Sequence, residues 1–150
     1  MKIISKSLAE TDKVARDFLK ELQDFKKTNQ NAGGAVVVGL FGELGSGKTT
    51  FSQALGRHLR INEFMTSPTF VIEKIYKLDG KNDFTNLIHI DAYRLEKGRE
   101  LEVLGFKELL KDPQNLILIE WPERVADILP DNMVKIYFKF ISENEREIEK

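Results

Sequence analysis

The chain has 150 residues, a formal charge of −1 and no cysteine. Its length suits one domain over residues 1–150 that buries about 70% of the surface its unfolded chain exposes, with no covalent staples. The absence of cysteine excludes disulfides, thiolate metal sites and cysteine nucleophiles, and the near-neutral charge argues against a chain whose main affinity comes from broad contact with nucleic-acid phosphates. Apolar runs fall far short of a membrane span, and Met1 to Glu10 carries no apolar signal core, so the expected location is the cytoplasm, with no membrane association.

Lys2 to Ile4 suits a short strand. Ser7 or Thr11 can cap a helix running to about Lys27, with Val14, Phe18, Leu22 and Phe25 along one face. A loop from Asn29 to Gly34 leads into Val36 to Thr50, VVVGLFGELGSGKTT, where a β-branched apolar run breaks into glycines. Gly42, Gly47, Lys48 and Thr49 satisfy G-x4-G-K-[ST], the pattern of a phosphate-binding loop. Each fixed position has a physical reason. The glycines let the backbone curl so that successive N–H groups converge on phosphate oxygens. The helix that begins near Lys48 adds unpaired N–H groups and a positive dipole end. Lys48 supplies a point charge for the β and γ phosphates, and the Thr49 hydroxyl a ligand for Mg2+. The helix continues to Leu59 with Phe51, Ala54, Leu55 and Leu59 at helical spacing.

Ile61 to Ser67 reads as a linker, Thr69 to Lys77 as a strand, Asp79 and Gly80 as a turn, and Asn86 to Ile90 as a second strand. The two strands form a hairpin by this reading. A wholly parallel sheet would place a crossover helix between them, and none fits. The expected fold class is therefore α/β: a three-layer α/β/α P-loop NTPase with a mixed sheet containing an antiparallel hairpin. Leu101 to Leu110 has the spacing of one short helix, Leu116 to Ile119 is a buried-strand run, Pro122 can start a short helix through Ile128, and Met133 to Phe140 alternates as a strand with one wet face. The tail from Ser142 to Lys150 is either frayed or a short edge strand folded back on it.

Hydrolysis or transfer of a phosphoryl group needs an acid at the end of a neighbouring strand. LIHID ends on Asp91 and LILIE on Glu120, and either could be that acid, or an ordinary strand-end carboxylate. SPTF, Ser67 to Phe70, lies where many phosphate-loop proteins sense the γ phosphate, although a proline-punctuated loop needs no such role. His89 suits a packed, hydrogen-bonded position. Arg94 serves a phosphate, a partner or solvent, and Trp121 either closes the site or fills core.

GELGSGKTTF, SPTF, HIDAYRL, LGFKELL and LILIEWPER, in that order and spacing, together resemble the TsaE (YjeE) family of small bacterial ATPases over nearly the whole chain from Ser7 to Ile148. The resemblance implies ATP and Mg2+ as cofactors, a cytoplasmic location and a part in making the threonylcarbamoyl modification of the adenosine beside the anticodon of certain tRNAs. It also implies work with the TsaD and TsaB proteins, ATP hydrolysis resetting their complex and tRNA meeting the chain only through it. Carried over by position, Gly42, Glu43, Leu44, Gly45, Ser46, Gly47, Lys48, Thr49 and Thr50 hold the phosphates. Thr49, Glu120 and Asp91 belong to the metal site, Lys48, Asp91, Glu120 and Thr69 to hydrolysis and sensing, and Ser7, Thr11 and Arg146 to the base side of the nucleotide. The chain departs from the family at SLAET, where S-x-E-E-T is commoner, and in lacking a glycine before Arg146. Two other classes fit a phosphate loop: a small-molecule kinase, which needs an acceptor pocket and a lid, and a nucleotide-dependent binding module with negligible turnover. A guanine-nucleotide switch fits less well, because no N-K-x-D run is present.

Overall fold

The computed structural model describes residues 1–28, 33–63, 65 and 72–150. Seven strands form one sheet: β1 (Lys2–Ser5), β2 (Val36–Phe41), β3 (Glu73–Lys77), β4 (Asn86–Asp91), β5 (Asn115–Glu120), β6 (Val134–Phe140) and β7 (Arg146–Glu149). Their spatial order is β1-β7-β6-β2-β5-β4-β3. The centre, β6-β2-β5-β4, is parallel, while β3 pairs antiparallel with β4 on one side and β7 pairs antiparallel with β6 and β1 on the other. The mixed sheet and its hairpin match the expected class. The tail is a strand, but not at an edge: β1 takes the edge and β7 lies inside it.

The helices cover both faces. α1 (Leu8–Thr28) buries Val14, Ala15, Phe18, Leu19 and Leu22, and α2 (Lys48–His58) buries Phe51, Ala54 and Leu55. Both pack on the face that carries Val36, Val38, Leu40, Leu116, Leu118, Ile136 and Phe138. On the other face, Val37, Ile88, Ile90, Ile117 and Ile119 meet Leu101, Phe106 and Val125. Those three come from α3 (Arg99–Glu102), α4 (Phe106–Lys111) and a 3-10 helix at Pro122–Ile128. Period-2 alternation in strands buried on both faces is what divides one apolar run between two cores.

The single helix expected from Leu101 to Leu110 is two helices. Gly105 takes φ +86 between them, a left-handed conformation that ends one helix and opens the next. At the start of α1, the Ser7 hydroxyl accepts the Glu10 N–H (3.1 Å) while the Glu10 carboxylate accepts the Lys6 N–H (2.6 Å), a reciprocal cap that fixes where the helix begins.

Asp12 ties the two helices of the first face together, 2.9 Å from Arg57 Nη2 and 2.9 Å from His58 Nε2. These partners hold its carboxyl below the ordinary carboxylate range, outweighing the larger single effect of burial, which pushes it up. A depressed folded value stabilises the protein above the unfolded carboxyl range, and the benefit disappears as pH falls through the folded value. Solvent screening limits it to under about 1 kcal/mol. Asp12→Asn should therefore lower the melting temperature by at most about 2–4 °C at pH 6. In calorimetry the gap between variant and parent should close as the pH is taken below about 4.

Candidate functional site

The loop from Gly42 to Gly47 leaves the carboxyl end of β2, the central strand, and curls by left-handed steps. Gly42 has φ +148 and Gly47 φ +107. A Cβ on Gly42 would lie 2.6 Å from the Phe138 carbonyl oxygen of β6; one on Gly47 would be strained by the positive φ and would lie 2.7 Å from Arg146 Nη1 of β7, whose side chain would have to shift. The loop is thus pressed between its own helix and the antiparallel margin. Ser46 is buried, and its hydroxyl has no hydrogen-bond partner among the described residues. Lys48 folds back over the loop, donating to the carbonyls of Gly42 and Glu43, and its Nζ sits 3.8 Å from the centre of the Trp121 ring. Burial pushes the Lys48 amine below its usual value, while Glu120, Glu123 and Asp91 push it back.

Asp91 and Glu120 are directly paired in the parallel register of β4 and β5, so the two acids stand side by side at the carboxyl edge of the sheet. Glu120 is 3% exposed. Its Oε1 lies 3.4 Å from Thr49 Oγ1 and its Oε2 2.8 Å from His89 Nε2. Asp91 accepts the Tyr93 N–H at 3.0 Å, which swings Tyr93 toward Trp121, the ring centres 5.1 Å apart. Trp121 has φ +59, a conformation rare for a bulky residue and typical of strained functional positions.

These groups enclose a cleft of about 540 Å³ lined by Leu44, Gly45, Gly47, Lys48, Thr49, Thr50, Asp91, Tyr93, Glu120, Trp121 and Arg146. It sits outside the carboxyl ends of parallel strands, where open α/β sheets bind ligands. The arrangement suits a polyphosphate: a glycine-rich loop with positive φ at Gly42, Gly45 and Gly47, a buried Ser46 hydroxyl with no partner among the described residues and one ammonium over the loop. Thr49 and Glu120 offer hard oxygen donors. Mg2+ is held by one or two such groups together with substrate phosphates, so they fit that ion without a complete protein cage.

The structure thus brings Arg146 to the loop from the far end of the chain. Ser7 and Thr11 do not line the cleft. Ser7 Oγ caps α1, and Thr11 is fully buried, its hydroxyl 2.7 Å from Ser5 Oγ, because the start of α1 needs both oxygens for its own backbone and core. Thr69 and the rest of SPTF lie outside the described residues. Arg94 borders a small adjoining recess with Ile72, Asp91 and Tyr93. Sequence reasoning missed Tyr93 as a lining residue, although its place two residues after Asp91 in DAYR is the spacing of the side-chain-to-backbone turn that orients it.

The fit of Gly42 yields a direct test. Gly42→Ala must displace both the Phe138 carbonyl and the Ser46 hydroxyl, at a cost of about 1–3 kcal/mol. The melting temperature should fall by about 2–4 °C per kcal/mol, and affinity for nucleotide, measured by calorimetric titration, should fall with it.

Comparison with known proteins agrees with the geometry. The family model described as "Threonylcarbamoyl adenosine biosynthesis protein TsaE" matches residues 5–148. A protein of Borreliella burgdorferi named tRNA threonylcarbamoyladenosine biosynthesis protein TsaE is 40% identical over 105 residues, covering 68% of this chain and 72% of that one. A protein of the same name from Rickettsia bellii is 31% identical over 143 residues, 95% of this chain and 91% of its own. The crystal structure of Bacillus subtilis YdiB superposes with a TM-score of 0.68 at 30% identity, covering 99% of this chain and 82% of that one. With a phosphate loop, two paired acids and a family match over nearly its full length, the chain belongs to the TsaE family.

Proposed function

We propose that this chain is a Mg-dependent ATPase that serves the threonylcarbamoyl modification of adenosine in tRNA, acting with TsaD and TsaB to drive or reset the modifying complex in the cytoplasm. tRNA meets it only through that complex. The observation that carries the reading is the placement of Lys48 and Thr49 of one phosphate loop against the paired acids Asp91 and Glu120. The relatives' names support the pathway. No helix among the described residues is long and apolar enough to cross a membrane.

In this reading the backbone from Glu43 to Thr50 cradles the phosphates. Lys48, whose amine lies over the loop on the Gly42 and Glu43 carbonyls, would supply the positive charge to the β and γ oxygens. Thr49 and Glu120 hold the cation, which when bound neutralises charge developing on the transferred phosphoryl group. Asp91 orients the attacking water, beside Glu120 in register but half-exposed and open to the cleft. Trp121 and Tyr93 wall the cleft and limit access of bulk water. Arg146 lies against Gly47 and contributes a second positive charge to the nucleotide. Thr69 senses the γ phosphate.

Lys48→Ala should abolish detectable ATP binding or turnover, and parental hydrolysis by a preparation free of contaminating ATPases would remove the loop from the mechanism. Glu120→Ala and Asp91→Ala should each cut turnover by about 10²-fold or more while changing nucleotide affinity far less, as read by steady-state phosphate release beside equilibrium titration. Pull-down with TsaD and TsaB, with and without ATP, should capture the chain in a nucleotide-dependent manner. Failure to bind either protein in both conditions would overturn the partner assignment, and transfer of phosphate to a metabolite would point instead to a kinase.

A further inference from the structure

His89 is 1% exposed on a sheet face that packs under α2. It stands on β4 beside Leu118 of β5, two residues before Asp91. Its Nε2 lies 2.8 Å from Glu120 Oε2, and its Nδ1 is buried with no hydrogen-bond partner among the described residues. Packing does not account for an imidazole here. Leucine or phenylalanine would fill the space without burying an unpaired nitrogen. The unpartnered Nδ1 also assigns the hydrogen. An N–H at Nε2 meets the carboxylate and leaves only a lone pair at Nδ1, whereas an N–H at Nδ1 would find no acceptor among the described residues and leave Nε2 facing a carboxylate without a proton. The ring therefore donates from Nε2 to Glu120 Oε2.

This bond occupies one carboxylate oxygen and leaves the other, Oε1, turned toward Thr49 Oγ1 at 3.4 Å. Glutamate has three side-chain torsions, and without this bond the longer Thr49 contact, on the oxygen that faces the cation site, would be the remaining tether among the described side chains. We propose that His89 is a positioning residue: it fixes the Glu120 carboxylate so that Oε1 and the Thr49 hydroxyl face the same divalent cation. The inference rests on the reading of Glu120 as the metal-site acid and adds the group that orients it. Outer hydrogen bonds of this kind hold metal-ligating groups in place in many sites, and their loss weakens metal affinity about 10–100-fold.

The test compares the parent, Glu120→Gln, His89→Gln and His89→Leu. Two quantities are read: affinity for ADP in the presence of EDTA, and affinity of the protein–ADP complex for Mn2+, from the electron paramagnetic resonance signal of the free ion. His89→Leu should weaken Mn2+ binding about 10–100-fold and leave metal-free ADP binding unchanged. His89→Gln, whose amide can donate from nearly the position of Nε2, should retain most of the parental Mn2+ affinity. Parental Mn2+ affinity in His89→Leu alongside a loss in Glu120→Gln would overturn the positioning role while sparing the metal-site reading. Parental affinity in Glu120→Gln would overturn that reading and this inference with it. Equal losses in the Gln and Leu variants, or loss of metal-free ADP binding in His89→Leu, would show a structural residue and not a hydrogen-bond donor. If His89→Leu does not fold, His89→Asn, whose amide stops short of Glu120, takes its place with the same expected loss.

Discussion

A carboxylate buried at the end of a fully buried strand is the constraint around which this fold is arranged. Removing a charge from water costs several kcal/mol even after relaxation, and Glu120 is 3% exposed on a strand buried from end to end. Compensation has to come from neighbours. It comes from the Thr49 hydroxyl at the start of α2, from His89 on β4 and from the positive field of Lys48. Three elements distant in sequence, β5 with Glu120, α2 with Lys48 and Thr49, and β4 with His89, are thereby required to meet at one point. Lys48 has the complementary difficulty, an amine whose burial opposes its charge and whose acidic neighbours restore it. The two groups stabilise one another, and the phosphate loop between them inherits its shape.

The sheet supplies the second requirement, which is alignment. Four parallel strands present their carboxyl ends on one edge, and the register that sets Asp91 beside Glu120 also sets Leu40, just before the loop, beside Glu120 on its other side. The antiparallel margins do different work. β3 and β4 form the hairpin that replaces a crossover, and β6 and β7 press against the loop through Phe138 and Arg146. Strand pairing therefore determines which side chains reach the cleft, and local geometry determines how they point.

That division explains what was legible beforehand. The loop from Gly42 to Thr49 is a local pattern, since each residue acts through backbone conformation or its own side chain, and so it could be read directly. Asp91 and Glu120 were legible as acids ending apolar runs, but their adjacency depends on register. The Glu120 partner of His89, 31 residues away in the chain, was not legible at all. The leucines at 101, 104, 109 and 110 keep helical spacing through Gly105, so periodicity predicted one helix where a single left-handed glycine makes two. Ser7 and Thr11 show the reverse difficulty. A hydroxyl that caps a helix and one that meets a ligand have the same sequence signature; here the exposed Ser7 hydroxyl is engaged by the Glu10 N–H and the Thr11 hydroxyl is buried against Ser5. Similarly, pairing places β7 inside the sheet, between β6 and β1, although its composition resembles that of an edge.

The position of Arg146 has a consequence for how the protein acquires its binding ability. One wall of the cleft comes from β7, and β7 pairs with β1, whose residues lie more than a hundred positions earlier. Contacts that close such long loops incur their entropic cost before they are rewarded. Completing that wall of the cleft therefore carries the entropic cost of the longest loop closure in the sheet. The loop and Arg146 line the same cleft, so a ligand held by both would bridge the parallel centre and the antiparallel margin and by mass action would favour the β1–β7 pairing.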